Sequence, residues 1–204
     1  MSTHSDTIDR VIKADEAKRH PRAPAMAPLE RRAAIIGATR VLLLENDAMV
    51  TTRQIAEAAG IAEGTIFRVF SDKDELIHAV IDETVDPAPL ERALEAVDPS
   101  DPVEIMLTAT IELLQRRAIE IWRLMASVGP QFHDRVHRPM SDSPALAALF
   151  QAHHHTITVP PVEAARRLRA VTLATSHPML VEQPITPAEI TTMFLYGIAR
   201  RSPC

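Results

Sequence analysis

Hydrogen-bonding side chains crowd into TTRQIAEAAGIAEGTIFRVF, residues 51–70 of a 204-residue chain. Thr65 carries a hydroxyl that donates or accepts, and Arg68 a forked guanidinium that pairs with a guanine edge or with a phosphate. The sequence leaves open which of the two Arg68 meets. Thr51, Thr52 and Arg53 precede this group and Lys73 follows it, and all four suit phosphate contacts that position a partner rather than specify it. Gly64 leaves room for a close approach.

A second group is His133 and His137, four residues apart and so on one helical face, with Asp134 and the run His153–His155 as possible supplements. That spacing also serves metal ligands. Adjacent helical residues point about 100° apart, so at most one or two of the three consecutive histidines can reach one ion. The single cysteine, Cys204, stands at the end of the sequence and adds nothing. Neither a metal nor any other cofactor is expected. Catalysis would need a nucleophile with its base, paired carboxylates or a glycine loop that cradles phosphate. The five glycines form no such loop, and nothing fixes Ser127, His133 and Asp134 relative to one another. The chain is therefore not read as an enzyme.

Composition sets the frame. With 46% hydrophobic and 24% charged residues the chain has the balance of a folded globular protein. A net charge of -5 argues against indiscriminate binding to nucleic acid, so any such contact is focal. No apolar run has bilayer length, and MSTHSDTIDR lacks the apolar core of an export signal, so a cytoplasmic protein without a membrane partner is expected.

The elements around residues 51–70 explain how the polar groups are presented. Residues 1–28 hold Pro21, Pro24 and Pro28 and read as a flexible arm whose Lys18, Arg19 and Arg22 can touch phosphates. LERRAAIIGATRVLLLE, residues 29–45, predicts a helix with Ile35, Ala38 and Leu42 toward the core and Ala34 and Val41 beside them. Asn46 and Asp47 offer a turn, and Thr51 with Gln54 forms a capping box for a second helix. Gly60 ends that helix within a few residues by taking left-handed geometry. Ile55, Ala59, Ile61 and Ile66 close the angle to a third helix, and small Ala56 and Ala59 let the two approach. Ser71 and Asp74 make a further box before an apolar face of Leu76, Ile77, Val80 and Ile81, and the unit closes near Glu83. This is a helix-turn-helix. Its second helix fits a DNA major groove about 12 Å wide, with Ala62 to Thr65 nearest the bases. A packed helical corner with no partner is the plainer alternative.

Farther on, Pro87, Pro89, Pro99 and Pro102 suggest a connection, with a short helical insert at 90–96. Val103, Met106, Leu107, Thr110, Leu114, Ile121 and Met125, joined by Trp122, recur at helical spacing. Further helices are expected near 141–155, 162–175 and 188–199, and no strand ladder is visible. The fold class is all-α, a helix-turn-helix head followed by a larger helical body. The expected division is an arm at 1–28, a DNA-binding domain at 29–83 and an effector-binding and dimerisation domain at 84–204.

From Arg31 to Ala79 the chain resembles the N-terminal domain of TetR-type transcriptional regulators. The resemblance is carried by TT-x-x-IA-x-x-AGI, GTIF-x-x-F and SDKDEL before an apolar tail. It implies that Thr65 and Phe67 occupy reader positions, that Phe70 is a core aromatic and that Lys73 meets phosphate. Phe67 stands where the family most often has tyrosine, Val69 where histidine is common, and Ala62 where a serine or threonine often caps the reader. Three polar groups are thereby lost, which shifts the expected contact toward Arg53, Arg68 and the arm.

A lone reader contacts too few bases to find a genomic site, whereas a two-fold dimer reads two half-sites. The resemblance implies that the last two helices, about Pro161–Thr175 and Pro187–Ala199, pair with their copies. Val162, Ala165, Leu168, Val171 and Thr172 form one apolar face, and Ile190, Met193 and Phe194 another; the same periodicity also serves an intrachain core. The resemblance further implies a small-molecule pocket, bordered by the 103–126 and 141–155 helices. Met106, Trp122, Met125, Phe132 and Phe150 suit its lining, or equally an ordinary core, and His133 a polar group of the effector. The expected function is a ligand-responsive regulator. It would bind a palindromic operator on double-stranded DNA as a homodimer, repress, and let go on meeting a small apolar or amphipathic molecule. A helical protein-binding adaptor and an enzyme are the alternatives.

Overall fold

The computed structural model describes residues 27–45, 50–135 and 141–196, without the side chains of His133 and Arg135. The arm with Lys18, Arg19 and Arg22, the turn at Asn46 and Asp47, and His137 lie outside the described residues. Among those residues there are nine α-helices, one 3₁₀ turn and no strand. They are α1 Pro28–Glu45, α2 Thr52–Ala58, α3 Glu63–Ile66, α4 Lys73–Val85, α5 Ala88–Glu95, α6 Val103–Ser127, α7 Pro144–Ala152, α8 Pro161–Ala174 and α9 Pro187–Tyr196. The 3₁₀ turn, Pro130–Arg135, follows α6.

The chain divides into two compact units, Met1–Ala34 and Ile35–Cys204. Of the first, only residues 27–34 are described, where the Glu30 carboxylate accepts the Ala27 N–H at 3.1 Å. The second holds two apolar clusters.

The head cluster takes Ile35, Ile36 and Leu43 from α1, Ile55 from α2, Ile66 from α3, and Leu76, Val80 and Ile81 from α4. The buried face of α1 is thus centred on Ile35, Ile36, Thr39 and Leu43, with Leu42 packed at its edge, Ala38 only partly buried and Val41 half exposed. Thr39 enters an apolar face because its hydroxyl donates to the Ile35 carbonyl at 2.7 Å, which leaves only its methyl to pack. The cap of α4 also sits one residue later than expected, and it is not a reciprocal box. Asp72, not Ser71, caps the helix by accepting the Glu75 N–H at 2.7 Å, and the Glu75 carboxylate accepts the Ser71 N–H at 2.5 Å. Glutamate reaches back one methylene farther than Asp74 can, which settles the register.

Three residues beyond α4 complete the head cluster: Leu124 near the end of α6, Val128 after it, and Phe132 in the 3₁₀ turn. Phe132 meets the His78 ring edge-on, 5.0 Å between centroids. Polar contacts run beside this packing. Arg40 of α1 pairs with Glu120 of α6 at 3.8 Å, Arg117 pairs with the same carboxylate at 3.5 Å, and Arg117 donates to the Asp86 carbonyl at 2.8 Å.

The body cluster is built from Met106, Leu107 and Ile111 of α6, Leu146, Leu149 and Phe150 of α7, Ala164, Ala165 and Leu168 of α8, and Ile190 of α9. A buried polar bridge crosses it. The Gln115 amide donates to Ser176 Oγ at 2.9 Å and to the Ile185 carbonyl at 2.7 Å, and Ser176 donates to the Thr172 carbonyl at 2.7 Å. The segment joining α8 to α9 is thereby tied to α6.

Candidate nucleic-acid interface

Thr51 is extended (φ -94°, ψ 153°) and starts α2 with a reciprocal box: its hydroxyl accepts the Gln54 N–H at 3.3 Å, and Gln54 Oε1 accepts the Thr51 N–H at 2.8 Å. Two orphan donors are satisfied at once. At the other end the chain reverses through Gly60, whose φ of 66° is the left-handed conformation that side chains disfavour. The Gly60 N–H donates to the Glu57 carbonyl at 3.1 Å and the Ile61 N–H to the Ala56 carbonyl at 2.9 Å. That pair of bonds is a Schellman motif, and Ile61 packs on the head cluster as its apolar contact.

The reader that follows is short. Ala62 is extended and makes no side-chain cap, α3 has one turn, and hydrogen-bonded turns carry the chain to Phe70. Ile66 and Phe70, 0% and 1% exposed, nail its inner face to the core. Glu63, Gly64, Phe67 and Arg68 are exposed on the outer face, and Thr65 is half-buried. A Cβ placed on Gly64 would meet nothing within 4 Å, so that side of the reader is open. Arg53 is exposed, with Lys73 half-buried at the start of α4.

The two threonines before the reader spend their hydroxyls inside the chain. Thr51 donates to Gln54 Oε1 at 2.8 Å, and Thr52 donates to Glu63 Oε1 at 2.5 Å. Glu63 is the site residue that the sequence reading missed. Its only local signal is an acidic residue in the first turn of a helix, which the helix dipole favours anywhere. The Asp72 carboxyl is held below its ordinary value, first by the Glu75 N–H and then by Ser71, so α4 begins with a firmly charged cap.

Residues 35–80, which contain this whole arrangement, match the family model for bacterial regulatory proteins of the tetR family. The chain thus carries a head similar to that family's N-terminal domain. Its head is therefore of a regulatory and not an enzymatic type. No curated protein is significantly similar in sequence. Among solved structures, the TetR-like regulator LfrR of Mycobacterium smegmatis in complex with proflavine is 20% identical, with a TM-score of 0.52 over 84% of this chain and 99% of that one. The TetR regulator SCO0520 of Streptomyces coelicolor is 21% identical, with a TM-score of 0.53 over 81% and 97%. The fatty acid degradation regulator FadR of Bacillus halodurans is 13% identical, with a TM-score of 0.55 over 89% and 100%. At these identities the likeness is one of fold, and it extends through the body.

The residues expected to line a pocket are spread over both cores. Met106 and Phe150 are fully buried in the body cluster, Met125 and Phe132 pack in the head cluster, and Trp122 meets the His177 ring edge-on at 4.6 Å. The side chain of His133 is outside the described residues. Of the residues expected on a partner-facing surface, Ala165, Leu168, Thr172 and Ile190 are buried within this chain. Val162 is 41% exposed, and Val171, Met193 and Phe194 are half-buried. An open groove of about 320 Å³ lies over Ala188, Glu189, Thr192 and Met193 on α9. His154 and His155 stack edge-on at 5.1 Å, and no group of three or more potential metal ligands gathers among the described residues. No helix among those residues is long and apolar enough to cross a membrane.

Proposed function

We propose that this regulator binds a palindromic operator as a homodimer in the cytoplasm, represses the genes beside it, and lets go when a small apolar or amphipathic molecule enters its body. In this reading residues 29–83 bind DNA, and residues 84–204 hold the effector and the partner copy. The observation that carries it is the reader's two-sidedness: Ile66 and Phe70 fix one face to the core while Gly64, Phe67 and Arg68 stand open on the other. Such a face fits a major groove with no rearrangement of the head. Arg53, Arg68 and Lys73 supply phosphate or base contacts, Thr65 a donor beside them, and Phe67 an apolar surface. The Thr51 and Thr52 hydroxyls serve instead to hold α2 and the reader in place, so Thr51, Thr52 and Ala62 meet DNA chiefly through their backbone.

The second copy meets the outer faces of α8 and α9. Val162, Val171, Met193 and Phe194 offer area there, and the buried Ala165, Leu168, Thr172 and Ile190 support it from behind. The effector site is bordered by α6 and α7. LfrR was crystallised with proflavine, a precedent for a small organic guest in a similar fold. Met106 and Phe150 are packed in one core, Met125 and Phe132 in the other, so a guest that reaches them, along with Trp122 and His133, must part α6 from its neighbours. Because the end of α6 is part of the head cluster, such a shift alters the spacing of two reader helices.

Fluorescence anisotropy with duplexes from the DNA upstream of the gene, at several salt concentrations, tests this reading together with the mass in solution. Retention that is selective for sequence at physiological salt, by a particle of twice the chain mass, supports it. Absence of selectivity at every salt concentration rejects it. A reporter that falls instead of rising on deletion of the gene rejects repression.

A further inference from the structure

The contact between Thr52 and Glu63 joins residues eleven apart across the turn, and it places a carboxylate at the exposed entrance of the reader. Carboxylates are poor company for DNA. A phosphate repels them, and the keto oxygens of guanine and thymine do so at close range. A carboxylate fixed at this position therefore either weakens binding or faces a donor on a base edge.

We propose that Glu63 is a specificity-determining residue that selects cytosine in each half-site by accepting a hydrogen bond from the cytosine 4-amino group; this rests on the DNA-reading function proposed above. Thr52 occupies Oε1, which orients the carboxylate and leaves Oε2 for the base. The neighbouring Gly64, with nothing within 4 Å of a Cβ, lets the reader backbone come close enough for this short side chain to reach. An ionised carboxylate only accepts. Adenine sets its N7 acceptor beside its amino group, so the carboxylate meets repulsion there, whereas cytosine presents the amino group alone. Thr52 acts through Glu63 and is a positioning residue.

Selection from a randomised duplex library, followed by sequencing, tests this on the full-length chain. The wild type is expected to enrich cytosine at one position of each half-site. Glu63→Gln, which can bond adenine in a bidentate manner, should move that preference to adenine, and Glu63→Ala should erase it. Unchanged preferences in both variants overturn the proposal while leaving the regulator reading intact. A wild type that selects no sequence overturns both. A measurement on the unaltered protein guards against misfolded variants. Replacing the selected cytosine by 2-pyrimidinone, which lacks the amino group, should lower wild-type affinity about tenfold, and an unchanged affinity refutes the role of Glu63. Thr52→Val should reduce the cytosine preference without replacing it, and circular dichroism checks that each variant is folded.

Discussion

Replacing Gly60 with alanine is expected to destabilise the protein without disturbing a single packed contact. The conformation at φ 66° is the whole reason, since a Cβ at this position meets nothing within 4 Å. An L-residue in left-handed geometry costs roughly 1–2 kcal/mol, and the stiffer unfolded chain offsets about 0.4–1 kcal/mol of that. The net loss is about 0–1.6 kcal/mol, with about 0.8 at mid-range. Gly37 supplies an internal control. It lies inside α1, also with nothing within 4 Å of a Cβ, but with ordinary helical geometry. There the same substitution is expected to stabilise by about 0.5–1 kcal/mol. Urea unfolding of the three proteins at one concentration measures both effects, and identical m-values ensure that the comparison concerns stability alone. The two glycine variants should fall on opposite sides of the wild type. A Gly60→Ala protein more stable than the wild type, as Gly37→Ala is expected to be, would refute the argument that the Schellman turn dictates this residue.

Ala62→Ser should stabilise the protein by about 0.5–1 kcal/mol, because a hydroxyl there can cap a reader that now begins without one; an unchanged melting temperature counts against this. Asp72→Ala should lower the melting temperature at neutral pH. The Asp72 carboxyl is held below its ordinary value of 3.8, so its stabilisation is present above that range and disappears as pH falls through the lowered one. The gap between wild type and variant should accordingly close in acid, and a gap that persists there contradicts the assignment. Gln115→Leu should destabilise by about 1–3 kcal/mol, because Ser176 and the Ile185 carbonyl lose their donor in a setting with little water; denaturant titration checks it, and a neutral result would mean that water replaces the amide.

The parts of the head that follow local rules were legible in the sequence. Thr51 and Gln54 stand three apart before an apolar residue, and Gly60 stands where only glycine suits the turn, so both were expected from spacing alone. Errors arose where two local patterns overlap. Ser71 with Asp74 and Asp72 with Glu75 are adjacent versions of one signal, and side-chain reach decides between them. On α1 the face was misjudged because Thr39 counts as polar until its hydroxyl is seen to bond within its own helix. Contacts between distant segments leave no periodic trace. The Thr52 bond to Glu63 needs the turn to exist first, and the apolar stripe of α6 does not reveal that its two ends enter different cores. Burial of Ala165, Leu168 and Ile190 inside one chain is a similar case, since an apolar face looks the same whether a neighbouring helix or a second copy covers it.

That divided helix has a practical meaning for anyone transplanting the head onto another regulator. A cut placed after α4, where the helix-turn-helix ends in sequence, would strip the head of its ceiling: Leu124, Val128 and Phe132 would stay behind, and the apolar surface they share with the head cluster would face water. A chimera that keeps the head folded has to bring the close of α6 and the 3₁₀ turn along as a separate piece of chain.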